Sequence, residues 1–241
     1  MSRPDSGFLP SLLERVFGSS LQGELTLIYG EPGSGKTALV LQTAVSNGRE
    51  GYGTLFVDAD IRLSTDRLAQ LAGIDSEKIM SLIFVARPMS FHALTGLLQN
   101  LDSYINPKMA LIAVDTVTSL YRAELGDDNV FSMNRELNLQ LGYLAEIAKT
   151  YELTVVLASQ VRSLPQKGNI PSVVEPMATR VLKYWSENIL RIVSRQGSQV
   201  REFVVEKASR PSAIRHRLQA RLTKEGFVEA DTSPGTARLS S

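Results

Sequence analysis

The segment Gly30 to Thr37, GEPGSGKT, constrains this chain more than any other, because its motif works only between a strand and a helix. It fits G-x-x-x-x-G-K-[ST] without a mismatch, and the flanks supply the context. Leu25 to Tyr29 is a short apolar, β-rich run, and Ala38 to Ser46 sets Leu39, Val40 and Thr43 at helical spacing. Gly30, Glu31, Pro32, Gly33, Ser34 and Gly35, with Lys36, Thr37 and Ala38 opening the helix, form the candidate nucleotide-binding segment. The glycines permit positive φ and close backbone approach, so that N–H groups and the helix N-terminus surround phosphates. Lys36 brings a charge between the β- and γ-phosphates, and Thr37 offers a hydroxyl to Mg²⁺.

Such a loop needs a carboxylate for the metal. Ala110 to Val114 is an apolar strand ending in Asp115, the candidate ligand through a water or the Thr37 hydroxyl. Hydrolysis also needs a group that orients water. Asp58 and Asp60 follow the strand Thr54 to Val57 and share a face if the chain stays extended; the alternative is a pair of solvated turn residues. Gln160 follows the strand Thr154 to Ala158, where it can meet a γ-phosphate or merely face solvent.

The remaining pattern predicts an α/β fold: a mainly parallel sheet with helices on both faces. A strand is expected at Leu82 to Val85, with helices at Thr65 to Leu71, Phe91 to Leu101 and Arg135 to Tyr151. Leu137, Leu141, Leu144 and Ala148 lie on one face of the last. Strands at Asn188 to Val193, Val200 to Glu206 and Arg215 to Leu222 are expected to extend the sheet in antiparallel fashion, the last from its strict alternation. Residues 1–230 read as one domain and 231–241 as a Ser/Thr/Gly/Pro-rich tail. The chain has no cysteine, which excludes disulfides, Cys-ligated zinc and thiol nucleophiles, and His92 and His216 are its only histidines. No apolar run could span a bilayer, so a soluble, cytoplasmic protein is expected. With 26 Lys+Arg against 25 Asp+Glu, no bulk field attracts DNA, but six Lys/Arg and no acid lie between Lys207 and Lys224. Arg215, Arg217 and Arg221 would share one strand face, as a phosphate-tracking stripe or as a solvated face.

In this order the segments resemble the ATPase core of RecA-type recombinases, in particular the archaeal RadA/RadB branch. Val114 to Glu124, VDTVTSLYRAE, is close to V-D-S-x-T-x-x-Y-R-A-E; Val57 to Leu68 resembles V-D-T-E-G-x-F-x-P-E-R-L; Val155 to Val161 resembles V-V-x-x-N-Q-V. Ser6-Gly7 with Leu12-Leu13, and Glu225 to Glu229, resemble the family's lead-in and terminal segments, so the likeness runs from about residue 6 to 230. The resemblance implies a RecA-like P-loop ATPase core, ATP and Mg²⁺ as ligands, and a weak ATPase acting in DNA repair and recombination. It puts the family's catalytic glutamate on Asp60, one methylene shorter, makes Lys36 and Gln160 its companions, and sets Arg67 on the adenine. Lys207 and Arg210 fall where a neighbouring subunit's nucleotide would be touched, which implies a homo-oligomer through the nucleotide face. DNA, single-stranded rather than duplex, would meet Arg162 and Lys167 in a second loop as well as the arginine stripe, and Phe131 in a first loop, Leu125 to Met133, would either stack on a base or form core at the start of the following helix. A main RadA-type recombinase is the implied partner and the nucleoid the implied location. The lead-in helix–hairpin–helix domain and a polymerisation motif are not found in this sequence. Two readings compete: a KaiC-like or other RecA-fold signalling ATPase, and a nucleotide-gated adaptor without DNA binding.

Overall fold

The computed structural model describes residues 11–163, 174–176, 178–194, 197–210 and 217–230, with backbone alone at 162–163 and 174–176. Ser6, Gly7, Lys167, Arg215, His216, the 231–241 tail and most of the second loop therefore lie outside the described residues. The ten strands among the described residues are β1 (Leu25–Gly30), β2 (Gly53–Asp58), β3 (Ile83–Ala86), β4 (Met109–Asp115), β5 (Thr154–Ser163), β6 (Val174–Pro176), β7 (Asn188–Ser194), β8 (Val200–Lys207), β9 (Arg217–Thr223) and β10 (Gly226–Glu229). The helices are α1 (Leu12–Phe17), α2 (Lys36–Arg49), α3 (Thr65–Ala72), α4 (Ser76–Met80), α5 (Phe91–Gln99), α6 (Ser119–Glu124), α7 (Val130–Thr150) and α8 (Thr179–Trp185). The sheet runs β10-β9-β8-β7-β1-β5-β4-β2-β3, with β6 beside β5. β3, β2, β4, β5, β1 and β7 are mutually parallel, so β7, expected to begin the antiparallel extension, joins β1 in parallel instead; β8 and β9 extend the sheet in antiparallel fashion, as the sequence pattern predicts, and β10 adds a further antiparallel strand.

The unbroken apolar runs of β1, β2 and β4 are buried at every position, because each strand meets helices on both faces. Alternate residues feed two cores. Ile28, Phe56, Leu111, Ala113, Val156 and Ala158 pack with α1 to α4. Leu27, Leu55, Val57, Ile112, Val114 and Leu157 pack with α5, α7 and α8, where Leu137, Leu141 and Leu144 are wholly buried.

Three expectations shift, and one strand was not foreseen. β3 is the outer strand, and its Phe84 and Val85 are exposed. α7 starts at Val130, so the first loop is shorter than expected and Phe131 stands on a helix, 85% exposed rather than in the core. β5 runs on past Ala158, which places Gln160 within the strand instead of after it. β10 was not legible as a strand, since its four residues are too few to show a period. In β9 the alternation holds over the described part: Arg217, Gln219 and Arg221 are exposed while Leu218 and Ala220 are buried.

Candidate nucleotide site

Parallel register brings the singled-out residues together. Gly30 pairs with Gln160 across β1 and β5, Val114 with Leu157 across β4 and β5, and Asp58 with Asp115 across β2 and β4. All therefore lie at the carboxyl ends of neighbouring strands, the edge where open parallel sheets hold ligands. The phosphate loop leaves β1 at Gly30, which must be glycine: a Cβ there would sit 2.4 Å from the Ile192 carbonyl oxygen. It enters α2 through Gly35, at φ 102°, and that N-terminus has no side-chain cap. Uncapped N–H groups at a helix start suit an anion.

Lys36 is buried and donates from Nζ to the carbonyls of Gly30 (2.8 Å) and Glu31 (2.9 Å). Burial lowers its pKa, against the opposing pull of Asp115, Asp60 and Glu31. Asp115 is buried too. Burial pushes its carboxyl up to about 6, Asp60 and Asp58 add to the rise, and the Thr37 hydroxyl bond and Lys36 oppose it. Its Oδ1 has no hydrogen-bond partner among the described residues, nor has the Oγ of Ser34 in the loop. A dry carboxylate beside a hydroxyl, with an oxygen to spare, fits a divalent cation. No cluster of three His, Cys, Asp or Glu among the described residues could hold a metal unaided. Mg²⁺ here would depend on phosphate oxygens for the rest of its shell, as Mg²⁺ commonly does.

Asp58 and Asp60 part company, contrary to the shared face expected of an extended segment. β2 ends at Asp58, and its carboxylate turns inward to accept from the N–H groups of Arg62 (2.9 Å) and Leu63 (3.2 Å) and from Arg87 Nε (3.0 Å). Asp58 thereby folds the loop, with Ile61 held at φ 54°. The Ala59 N–H reaches the Asp115 carbonyl at 3.0 Å, and Asp60 accepts from Gln160 Nε2 at 3.3 Å. Lys36, Thr37, Asp60, Asp115 and Gln160 are thus one constellation.

The other residues are dispersed. The Arg67 guanidinium donates to the carbonyls of Thr223 (3.3 Å) and Lys224 in the β9–β10 turn. Lys207 Nζ donates to the carbonyls of Ser186 (2.6 Å) and Lys183 (3.4 Å), so it caps the end of α8 in its own chain. Arg210 is exposed just beyond β8. Arg217 pairs with Glu202 at 2.8 Å; Arg221, four residues along the same exposed face of β9, has no ion pair among the described residues. For Arg162 only the strand backbone is described. Two side chains that sequence reasoning passed over, Arg87 and Gln42, prove to hold the site's surroundings. Their contacts lie 29 and 185 residues away, so no local signal marks them.

A family model described as Rad51 matches residues 10–228. A protein named DNA repair and recombination protein RadB, from Methanobrevibacter smithii, is 33% identical over 192 residues, 78% of this chain and 80% of the relative. Its namesake from Methanothermobacter thermautotrophicus is 29% identical over 224 residues, 90% of this chain and 93% of the relative. A solved structure described as that of the RadB recombinase superimposes with a TM-score of 0.73 at 27% identity, covering 91% of this chain and 96% of the other.

Proposed function

The chain belongs to the Rad51 family as a RadB-like recombinase paralogue, and from that premise we propose that it binds ATP with Mg²⁺, hydrolyses it weakly and engages single-stranded DNA through phosphate contacts. Residues 1–230 act as one ATPase domain in this reading, working beside a main RadA-type recombinase. The observation that carries it is the constellation of Lys36, Thr37, Asp60, Asp115 and Gln160 around the phosphate loop.

The N–H groups of residues 33–38 would hold the β- and γ-phosphates, and Lys36 would move from loop carbonyls to phosphate oxygens. Thr37 and Asp115 would hold Mg²⁺, which spreads the charge of the transferred group. Asp60 would accept a hydrogen bond from the attacking water and orient it in line with the γ-phosphorus. Gln160, bonded to Asp60, would register whether the γ-phosphate is present; β5 carries that contact towards the second loop. The shorter reach of aspartate than glutamate, about 1.5 Å, supports weak turnover.

Lys36→Ala tests the site. Turnover should fall to background with the circular dichroism spectrum unchanged; undiminished hydrolysis would refute the assignment. The Arg217–Glu202 pair favours the adaptor reading, because a neutralised arginine releases fewer counterions on binding DNA. Nucleotide binding without any measurable DNA affinity at low salt would establish it instead.

A further inference from the structure

The turn after β2 rests on a residue ill-suited to it. Among the described residues, the non-glycine residues with positive φ are Ile61, Glu152 and Ala178, and Ile61, at 54°, is the β-branched one. A branched side chain crowds the neighbouring backbone in the left-handed region, which glycine and asparagine enter with far less strain. Packing does not compensate the strain. The Ile61 side chain is 52% exposed and belongs to neither buried core, whereas Leu63, two residues on, packs against the core beneath α1 to α4.

Hydrogen bonds hold the turn instead. A left-handed residue brings successive N–H groups to one side of the chain, as in the concave nests that bind anions. Here the N–H groups of Arg62 (2.9 Å) and Leu63 (3.2 Å) both reach the buried Asp58 carboxylate, which Arg87 also holds. The Ile61 N–H makes only a long bond of 3.4 Å to the Asp58 carbonyl. The turn is pinned on one side by Ala59, whose N–H meets the Asp115 carbonyl at 3.0 Å. On the other it is pinned by Leu63 in the core and by Ser64, whose hydroxyl caps α3. Asp60 is carried between these pins, directly before the strained residue, and its carboxylate meets Gln160. Strain held in place by its surroundings beside a reacting group is a mark of functional sites.

We propose that Ile61 is a positioning residue that limits turnover: its strain opposes the turn that presents Asp60, so that Asp60 stands against Gln160 and the phosphate loop for only part of the time. In the competing conformation Ile61 leaves the left-handed region, and the N–H groups of Arg62 and Leu63 come off Asp58. The penalty on a left-handed branched residue, measured against glycine, corresponds to roughly a five- to thirtyfold shift between the two conformations. The inference rests on reading Asp60 as the water-orienting group, and adds a second brake beside the short reach of that carboxylate.

The test uses the full chain as wild type, Ile61→Gly, Ile61→Asn and Ile61→Ala. It measures kcat for ATP with Mg²⁺, ATP affinity, and the hydrogen-exchange protection of the Arg62 and Leu63 amides without nucleotide. Ile61→Gly should raise kcat about threefold or more, Ile61→Asn nearly as much and Ile61→Ala least, with ATP affinity held within about twofold. Protection of the two amides should rise in the same order, although glycine by itself loosens a chain. Adding Asp60→Ala to Ile61→Gly should erase the gain in kcat. Ile61 is exposed, so these variants leave the core intact. An unraised kcat in both Ile61→Gly and Ile61→Asn would overturn the proposal. So would a larger gain from Ile61→Ala than from Ile61→Asn, which would point to bulk and not to strain, or protection that does not rise. Raised protection with no hydrolysis in any chain would instead overturn the ATPase reading on which the proposal stands.

Discussion

Asp60 and Asp58, two positions apart, do different work. Asp60 faces Gln160 and the Lys36 field, whereas Asp58 is buried and folds the loop that presents it. If reach limits turnover, Asp60→Glu should raise kcat severalfold and Asp60→Ala should abolish it, with ATP affinity little changed in both. A fall in kcat for Asp60→Glu to the alanine level would show a site built around the shorter side chain. Arg87→Met removes one of three donors to Asp58 and should cost about 1–2 kcal/mol of stability, as charge-assisted bonds at half-exposed sites do. Urea denaturation measures it. The same variant should lower kcat more than ATP affinity, because the loosened loop carries the water-orienting group and not the phosphate-binding one.

At the scale of elements, the arginine stripe on β9 is half spent. Arg217 is neutralised by Glu202, whereas Arg221 has no ion pair among the described residues, so neutralising substitutions should differ. Arg221→Gln should reduce the salt slope of single-strand binding by about 0.7, the share of one phosphate contact, and Arg217→Gln should reduce it by less. Equal slopes in both variants and the wild type would mark β9 as a solvated face. How much of this was legible follows from range. The phosphate loop, the strand ending in Asp115, the buried face of α7 and the alternation of β9 are local patterns, and each stands where its residues put it. The end of β2 at Asp58 was not legible, because the bonds that end it come from Arg62, Leu63 and Arg87 after a turn. Lys207 looked free for a neighbour only until α8 was placed against it. The clamp of Gln42 on Phe227 joins residues 185 apart and leaves no trace in either segment.

Across the whole molecule, the nucleotide constellation sits on the open carboxyl edge of the sheet, and Arg210 is exposed near the antiparallel extension. If a second copy supplies that charge in trans, turnover per chain should rise with protein concentration, and Arg210→Ala should flatten the rise; concentration-independent turnover would contradict assembly through this face. No helix among the described residues is long and apolar enough to cross a membrane. The central claim, an ATP-binding paralogue that meets DNA by its phosphates, is tested most directly by single-stranded DNA binding at two salt concentrations, with and without ATP and Mg²⁺, in the wild type and Lys36→Ala. With three to five phosphate contacts, tenfold more salt should weaken wild-type binding by about two to three and a half decades, and ATP should shift the affinity of the wild type but not of Lys36→Ala. Binding that ignores both salt and nucleotide, or no binding at all, would contradict the account.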